Sequence, residues 1–435
     1  MVEMKNSGIT WCGMIPANWN VMPNKYVMYK QKDLCPKYSG EDILSLTMDG
    51  VIVRDLEAGG KMPATFDGYQ IVHANNLLMC LFDYDVTPRC IGLIKNEGLT
   101  SPAYSQFIMK NDNDANYYYY YYLMIDNTKE LLHLAKNLRH SFTEDQLGAI
   151  NTPVPPVEIQ KKIASFLDLK CKEIDDVYSD IERQIETLEE YKKSVIAEAV
   201  TKGLDPNAEM KDSGIEWVGK MPSNWDVKKG KYCLAYVQKP TKEDDDVITC
   251  FRDGEVTLRS NRREEGFTIS FKEIGYQGID VGDLVVHGMD GFAGAIGISD
   301  SRGKASPVLN VLDTDNNKRY IMYYLRNMSY NGVFVALTTG IRVRTCDTNW
   351  GKLKELPYIL PPIEEQNAIV KYIDDVINKV DAIIEEKKKQ LEVLIDYKKS
   401  VIYEYITGKK EVPDNEWNIN WKAISTFHYG LSKKK

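Results

Sequence analysis

Five histidines (His73, His133, His140, His287, His428) and eight cysteines (Cys12, Cys35, Cys80, Cys90, Cys171, Cys233, Cys250, Cys346) are the side chains best suited to metal or nucleophilic chemistry in this chain. A zinc site takes such residues at short spacings, C-x-x-C or H-x-x-x-H, because one turn or one helix face must offer two ligands to one ion. None of them falls at such a spacing, and the cysteines do not outline a disulfide framework, so buried reduced thiols are expected. Gly291, Gly294 and Gly297 form G-x-x-G-x-x-G, which is not the dinucleotide fingerprint, and no phosphate-cradling G-x-x-x-x-G-K-[ST] occurs. Glu385 and Lys387 superficially resemble part of a nuclease site, but they lie within a heptad pattern. A chain without catalysis, metal or cofactor of its own is expected.

Recognition chemistry is better supplied. Arg252, Arg259, Arg262, Arg263, Arg302, Lys304, Arg342 and Arg344 cluster in the second half of the chain, and Arg54, Arg89, Lys95 and Arg139 are the sparser set in the first. Arginine on loops suits bidentate contact with guanine edges and phosphates. An ordinary surface cation is the other reading of any one of them. The net charge of −8 weighs against a broadly basic protein. Residues 20–150 carry 12 Lys and Arg against 16 Asp and Glu, and residues 226–356 carry 19 against 18.

The elements that must position these residues come in duplicate. Residues 5–26 (KNSGITWCGMIPANWNVMPNKY) and 211–232 (KDSGIEWVGKMPSNWDVKKGKY) are identical at 12 of 22 positions with an offset of 206. The same offset, without a gap, aligns 155–202 with 361–408, including Pro155-Pro156 with Pro361-Pro362, Gln160 with Gln366, and YKKSVI at 191–196 with YKKSVI at 397–402. Between these blocks the similarity thins, so two similar frames carry two different middles.

Each Pro-Pro pair opens a helical pattern. Apolar residues recur at alternating steps of four and three: Leu167, Cys171, Ile174, Tyr178, Ile181, Ile185, Leu188, Val195 and Ala199, and then Ile373, Ile377, Val380, Ile384, Leu391, Leu394, Val401 and Tyr405. This is a coiled-coil seam, interrupted by Lys192, Lys387 and Lys398, which either set the register or snorkel past it. A helix over 157–200 would run roughly 66 Å, too long for one small domain to bury. The other copy is the obvious partner, packed antiparallel. The repeated Tyr191, Lys192, Lys193 and Tyr397, Lys398, Lys399 suit a surface used twice by one partner.

The middles read as mixed α/β. Short strands are expected at 43–47, 77–82, 90–94, 247–251, 284–287 and 295–298, broken by turns at Met48-Asp49-Gly50 and Arg252-Asp253-Gly254. Six tyrosines at 117–122, matched by the aromatic and apolar run 320–325, are expected on a helix packed against the sheet, with base stacking as the alternative. The organisation is therefore a first domain at 1–154, a helix at 155–204, a second domain at 205–360, a helix at 361–410 and a tail at 411–435, whose Trp417 and Trp421 are expected to pack against the N-terminal block. No apolar run spans a bilayer and no signal peptide opens the chain, so a cytoplasmic location without membrane contact is expected.

The repeated S-G-I-x-W-x-G-x-x-P-x-x-W block, the P-P-x-E-x-Q helix starts and two variable middles joined by long helices together resemble the specificity subunit of Type I restriction–modification systems. The resemblance implies two α/β target recognition domains with pseudo-two-fold symmetry, each reading half of a split site on double-stranded DNA, and an antiparallel coiled coil that sets the gap. It also implies docking of two methyltransferase (modification) subunits, joined by restriction subunits. S-adenosylmethionine, ATP and Mg would belong to those partners. A coiled-coil adaptor without base-specific DNA binding is the alternative.

Overall fold

The computed structural model describes residues 3–58, 63–135, 140–262, 274–336 and 348–413. The chain divides into two compact units, Met1–Asp180 with Gln390–Lys435, and Ile181–Lys389. The long helices run Val157–Lys202 and Ile363–Ile406. Each unit therefore contains one middle, the start of the helix that follows it and the end of the other helix, and within each unit those two segments run antiparallel.

In the first unit a four-stranded antiparallel sheet has the order Ile91–Leu93, Leu77–Met79, Ser105–Met109, Met28–Gln31. Beside it lie Gly98–Thr100, Gln70–Val72 and Asp33–Leu34, and a hairpin Leu44–Thr47 with Gly50–Val53. Asn20–Pro23 pairs with Asn151–Val154, which leads into the long helix. The second unit repeats this plan. Its sheet is Ile296–Ile298, Leu284–His287, Leu309–Asp313, Ala235–Val237. Its hairpin is Ile248–Cys250 with Val256–Leu258, and Asp226–Lys229 pairs with Pro357–Leu360. The expected strands are all present, most of them trimmed at their ends.

The tyrosine run lies on the helix Ala115–Thr128, capped by the Asp114 side chain on the Tyr117 amide. Tyr117, Tyr118, Tyr120, Tyr121 and Tyr122 are at most 5% exposed, so they form core and not a stacking platform. The hydroxyls of Tyr117, Tyr118, Tyr120 and Tyr121 find partners, as amphipathic rings in a core do, and that of Tyr122 has none. The Tyr117 hydroxyl donates to Ile406 O at 2.9 Å, in the last turn of the second long helix. In the other unit the Tyr320 hydroxyl donates to Val200 O at 3.2 Å, in the last turn of the first.

The shared glutamines explain the P-P-x-E-x-Q starts. Gln160 Nε2 donates to Pro155 O and Asn113 Oδ1, both at 2.8 Å, and its Oε1 accepts from the Asp114 amide. Gln366 makes the same three bonds, to Pro361 O, Asn316 Oδ1 and the Asn317 amide. One buried amide thus fastens the start of each long helix to the start of the aromatic helix.

The Trp-Pro blocks receive the helix ends. Gly203, at φ +75, lies against Trp225 and Pro222, and Gly408, at φ +68, against Pro16 and Trp19. Trp417 and Trp421 lie outside the described residues. At the end of the second helix Ile402 and Ile406 join the core of Cys12, Ile15 and Trp19, and Lys409 Nζ donates to Cys12 O at 3.1 Å.

The seam is buried at Leu167, Cys171, Ile174, Val195, Ala199, Ile373, Val380, Ile384 and Val401, and half-buried at Ile181, Ile185, Leu188, Leu391 and Leu394. All three seam lysines make polar contacts across it. In the second unit Lys192 Nζ meets Asp381 at 2.6 Å and Lys387 Nζ donates to Gln184, and in the first Lys398 Nζ meets Asp175 at 2.7 Å. The Lys192–Asp381 and Lys398–Asp175 pairs are each other's counterparts at the offset of 206. Six of the seven described cysteines are buried thiols, and Cys233 is partly exposed.

Candidate nucleic-acid interface

In the second unit the hairpin Ile248–Cys250 with Val256–Leu258 gathers the arginines. Its tip is a tight turn over Arg252-Asp253-Gly254, with the Gly254 amide donating to Phe251 O at 2.9 Å. Gly254 has φ +88, a conformation glycine adopts without strain. A Cβ there would fall 1.5 Å from Arg326 Nη2, so the guanidinium sits directly under the turn. Arg326 Nε donates to Ile296 O at 2.7 Å, which ties the hairpin to the central sheet.

Arg252 reaches from the tip to Asp290 at 2.8 Å and keeps 63% of its side chain exposed. Asp290 is placed by His287, whose Nδ1 accepts from the Met289 and Asp290 amides at 3.2 and 3.0 Å. Burial holds the His287 imidazole below its ordinary pKa, so the neutral, accepting ring is the favoured form. Arg262 folds back on the hairpin, 2.8 Å from Asp253 and 3.3 Å from Glu255, with its guanidinium 4.1 Å from the centre of the Phe251 ring. Arg259 follows Leu258 in a 3-10 turn, and its Nε donates to Thr249 Oγ1 at 3.4 Å.

Lys304 lies on the strand Gly303–Ala305, bridged to Val247 at the foot of the same hairpin. Arg302 is employed differently. Its Nε and Nη2 donate to Asp245 at 3.0 and 2.8 Å, Nη1 to Asp280 at 2.6 Å, and Nη2 also to Pro240 O. Lys239 completes the cluster with Asp280 and Asp283 at 2.8 and 2.7 Å. Lys239 and Arg302 together hold the Asp280 carboxyl down at about 2, and Arg302 holds Asp245 below the usual carboxylate range. Arg302 thus clamps this corner of the unit. Arg263, Arg342 and Arg344 lie outside the described residues.

The first unit places Arg54 just after its own hairpin, with its amide bonded to Ile43 O at 2.7 Å. Lys95 is exposed beyond the strand Ile91–Leu93, and Arg89 precedes that strand beside the Tyr119 hydroxyl. Arg139 lies outside the described residues. Sequence reasoning passed over the rest of this hairpin. Met48 is 57% exposed at the tip where the second unit presents Arg252, and Ile52 and Val53, 43% and 42% exposed, stand where the second hairpin has Thr257 and Leu258. Arg54 takes the place of Arg259, whose amide likewise bonds back to the foot of its hairpin, at Val247 O. The paired Asp-Gly turns were the available signal: matched hairpins in matched frames, one tipped with methionine and one with arginine.

On the long helices, Tyr191 and Tyr397 are 49% and 38% exposed. Lys193 pairs with Glu190 and lies over the Tyr330 ring, and Lys399 pairs with Asp396. Lys192 and Lys398 are engaged between the helices, as above. Among the described residues, no three His, Cys, Asp or Glu side chains gather where a metal could sit, and no helix is long and apolar enough to cross a membrane.

A family model described as the Type I restriction modification DNA specificity domain matches the chain twice, over residues 91–187 and 280–393. The putative type I restriction enzyme MjaX specificity subunit of Methanocaldococcus jannaschii is 27% identical over 293 residues, 62% of this chain and 62% of that relative. The likeness in both comparisons is to Type I restriction specificity subunits. A second relative, the MjaVIII specificity subunit of the same organism, is 25% identical over 60% of this chain and 63% of its own length, so the chain spans under two thirds of the curated specificity subunits it matches. A solved structure from work on complex assembly and conformational transition of the type I R-M system has the same fold, with a TM-score of 0.64 at 13% identity, covering 91% of this chain and 99% of that one. Each match to the specificity-domain model takes in a helix-bearing half of a middle and the start of the long helix after it. Both divergent hairpins fall outside the matches.

Proposed function

We propose that this chain is the DNA-specificity subunit of a Type I restriction–modification assembly, a recognition protein that is not itself the catalyst. Each unit reads one half of a bipartite site, and the long helices set the spacing between the halves. The observation that supports this reading is the pair of equivalent hairpins with different tips, Met48 in one and Arg252 in the other. Two copies of one frame that bear an apolar tip and an arginine tip suit two different half-sites. Guanidinium groups favour guanine edges, and exposed methyl and methylene groups favour the thymine methyl.

The partners in this reading are double-stranded DNA, two methyltransferase subunits docked near Tyr191 and Tyr397, and restriction subunits. S-adenosylmethionine, ATP and Mg serve those partners. The first middle has an excess of acidic residues, and the partners supply part of the phosphate contact there.

Exchange of residues 226–356 for a different middle tests the reading. Methylation should keep one half of the target sequence and change the other. An unchanged target would instead favour the coiled-coil adaptor.

A further inference from the structure

The first unit holds a thiol pair apart from the hairpin. Leu77–Met79 runs antiparallel to Ile91–Leu93 with Met79 opposite Ile91. One step further, the Cys80 amide donates to Cys90 O at 2.9 Å. The two cysteines are thus cross-strand neighbours joined by that one backbone bond, while the Cys90 amide donates to Asp126 Oδ2 at 2.8 Å. Directly opposed residues of an antiparallel pair lie about 4.5–5.5 Å apart at Cα, within the reach of a disulfide. Both sulfurs converge on Thr87, Cys80 Sγ at 4.0 Å from its Oγ1 and Cys90 Sγ at 3.7 Å from its carbonyl oxygen. Lys129 Nζ lies 3.5 Å from Cys90 Sγ, held there by Asp126 and Thr87 O, each at 2.7 Å.

The two thiols differ in character. Both thiols are buried, and a hydrogen bond from the Cys90 thiol holds the Cys80 thiol below its ordinary range, while the same bond and burial push Cys90 up. Burial pushes Cys12 and Cys250 up to about 12, and Cys171 and Cys233 up to about 11. A thiolate is the nucleophilic form of cysteine, so Cys80 is set apart from these four.

We propose that Cys80 and Cys90 form a peroxide-reactive thiol pair, with Cys80 as the attacking sulfur and Cys90 as the resolving one. The Cys80 thiolate displaces hydroxide from hydrogen peroxide and becomes a sulfenic acid, and the hydroxide leaves as water with the proton that Cys80 released. The Cys90 sulfur then attacks the Cys80 sulfur, an S–S bond forms, and the sulfenic oxygen departs as a second water carrying the Cys90 proton. The two sulfurs are oxidised by two electrons in total and one peroxide is reduced. The disulfide would fasten the loop that carries Arg89. This inference is independent of the DNA-binding reading.

The test uses the full chain treated with hydrogen peroxide, blocked with an alkylating agent and mapped by mass spectrometry. The expected product is lighter by about 2 Da, linked between Cys80 and Cys90, and restored by dithiothreitol. The rate should rise with pH and level off below the range of an ordinary thiol. In Cys90→Ser the reaction should stop at a sulfenic acid on Cys80, about 16 Da heavier and trapped by a 1,3-diketone. In Cys80→Ser, oxidation at Cys90 should be at least ~10-fold slower than that of Cys80 in the native chain. Oxidation that reaches Cys12, Cys171, Cys233 or Cys250 first, or Cys90 reacting at the native rate in Cys80→Ser, would overturn the proposal. The map of the unsubstituted chain decides the matter even if a variant folds poorly.

Discussion

Alanine at Gly254 should loosen the arginine hairpin, and the structure allows the size of the effect to be worked out. At φ +88 a side chain is strained by about 1–2 kcal/mol. The new Cβ would also fall 1.5 Å from Arg326 Nη2, so the guanidinium must leave and its bond to Ile296 O is lost, about 1.5–3 kcal/mol for a charged donor. The sum, about 2.5–5 kcal/mol, corresponds to a fall of roughly 5–20 °C in the melting of a unit of this size. Gly50 at the matching turn provides the control. It has φ +99 and nothing within 4 Å of its Cβ position, so Gly50→Ala carries the strain alone, about 1–2 kcal/mol. Thermal denaturation of the two variants side by side is the assay. Equal shifts, or a larger one for Gly50→Ala, would refute the assignment of Arg326 as the strut beneath the hairpin.

Lys192→Asp places a third carboxylate beside Asp381 and Glu189 and should cost about 1–2 kcal/mol in urea unfolding. Asp381→Lys in the same chain should recover most of it, and a double-mutant cycle measures the coupling. The carboxyls of Asp280 and Asp245 lie below their ordinary values in the folded chain, so the stability they contribute is present above about pH 4 and lost as pH falls towards 2. Arg302→Met should flatten that acid limb in a pH series of melting curves. Arg252→Ala with Arg262→Ala should weaken binding of the assembled complex to its own site by about 1–3 kcal/mol per lost base contact and leave the half-site read by the other unit unchanged, as measured by competition with half-site variants.

The duplicated frame was legible because two blocks share one offset, and the helices because their apolar positions step by four and three without Gly or Pro. The seam lysines could be located but not interpreted, since Asp381 and Asp175 become their partners only once the helices pair antiparallel. The role of Gln160 and Gln366 was hidden for a related reason. Their partners Asn113 and Asn316 lie 47 and 50 residues away. Arg302 looked like its neighbours in a cluster of cations, yet its carboxylates arrive from 57 and 22 residues off to make it a clamp. At the interface the cations marked both hairpins, through Arg54 and Arg259, but the tip of the first was passed over, because exposed Met48, Ile52 and Val53 carry no charge and read in sequence as ordinary turn and strand residues.

The central claim is that this chain chooses the DNA site. Methylation sequencing of genomic DNA, with the partner subunits expressed and this chain either present or deleted, tests it most directly. A two-part, asymmetric methylated sequence that disappears on deletion is the predicted result. The same methylated sequence with the chain absent would contradict it.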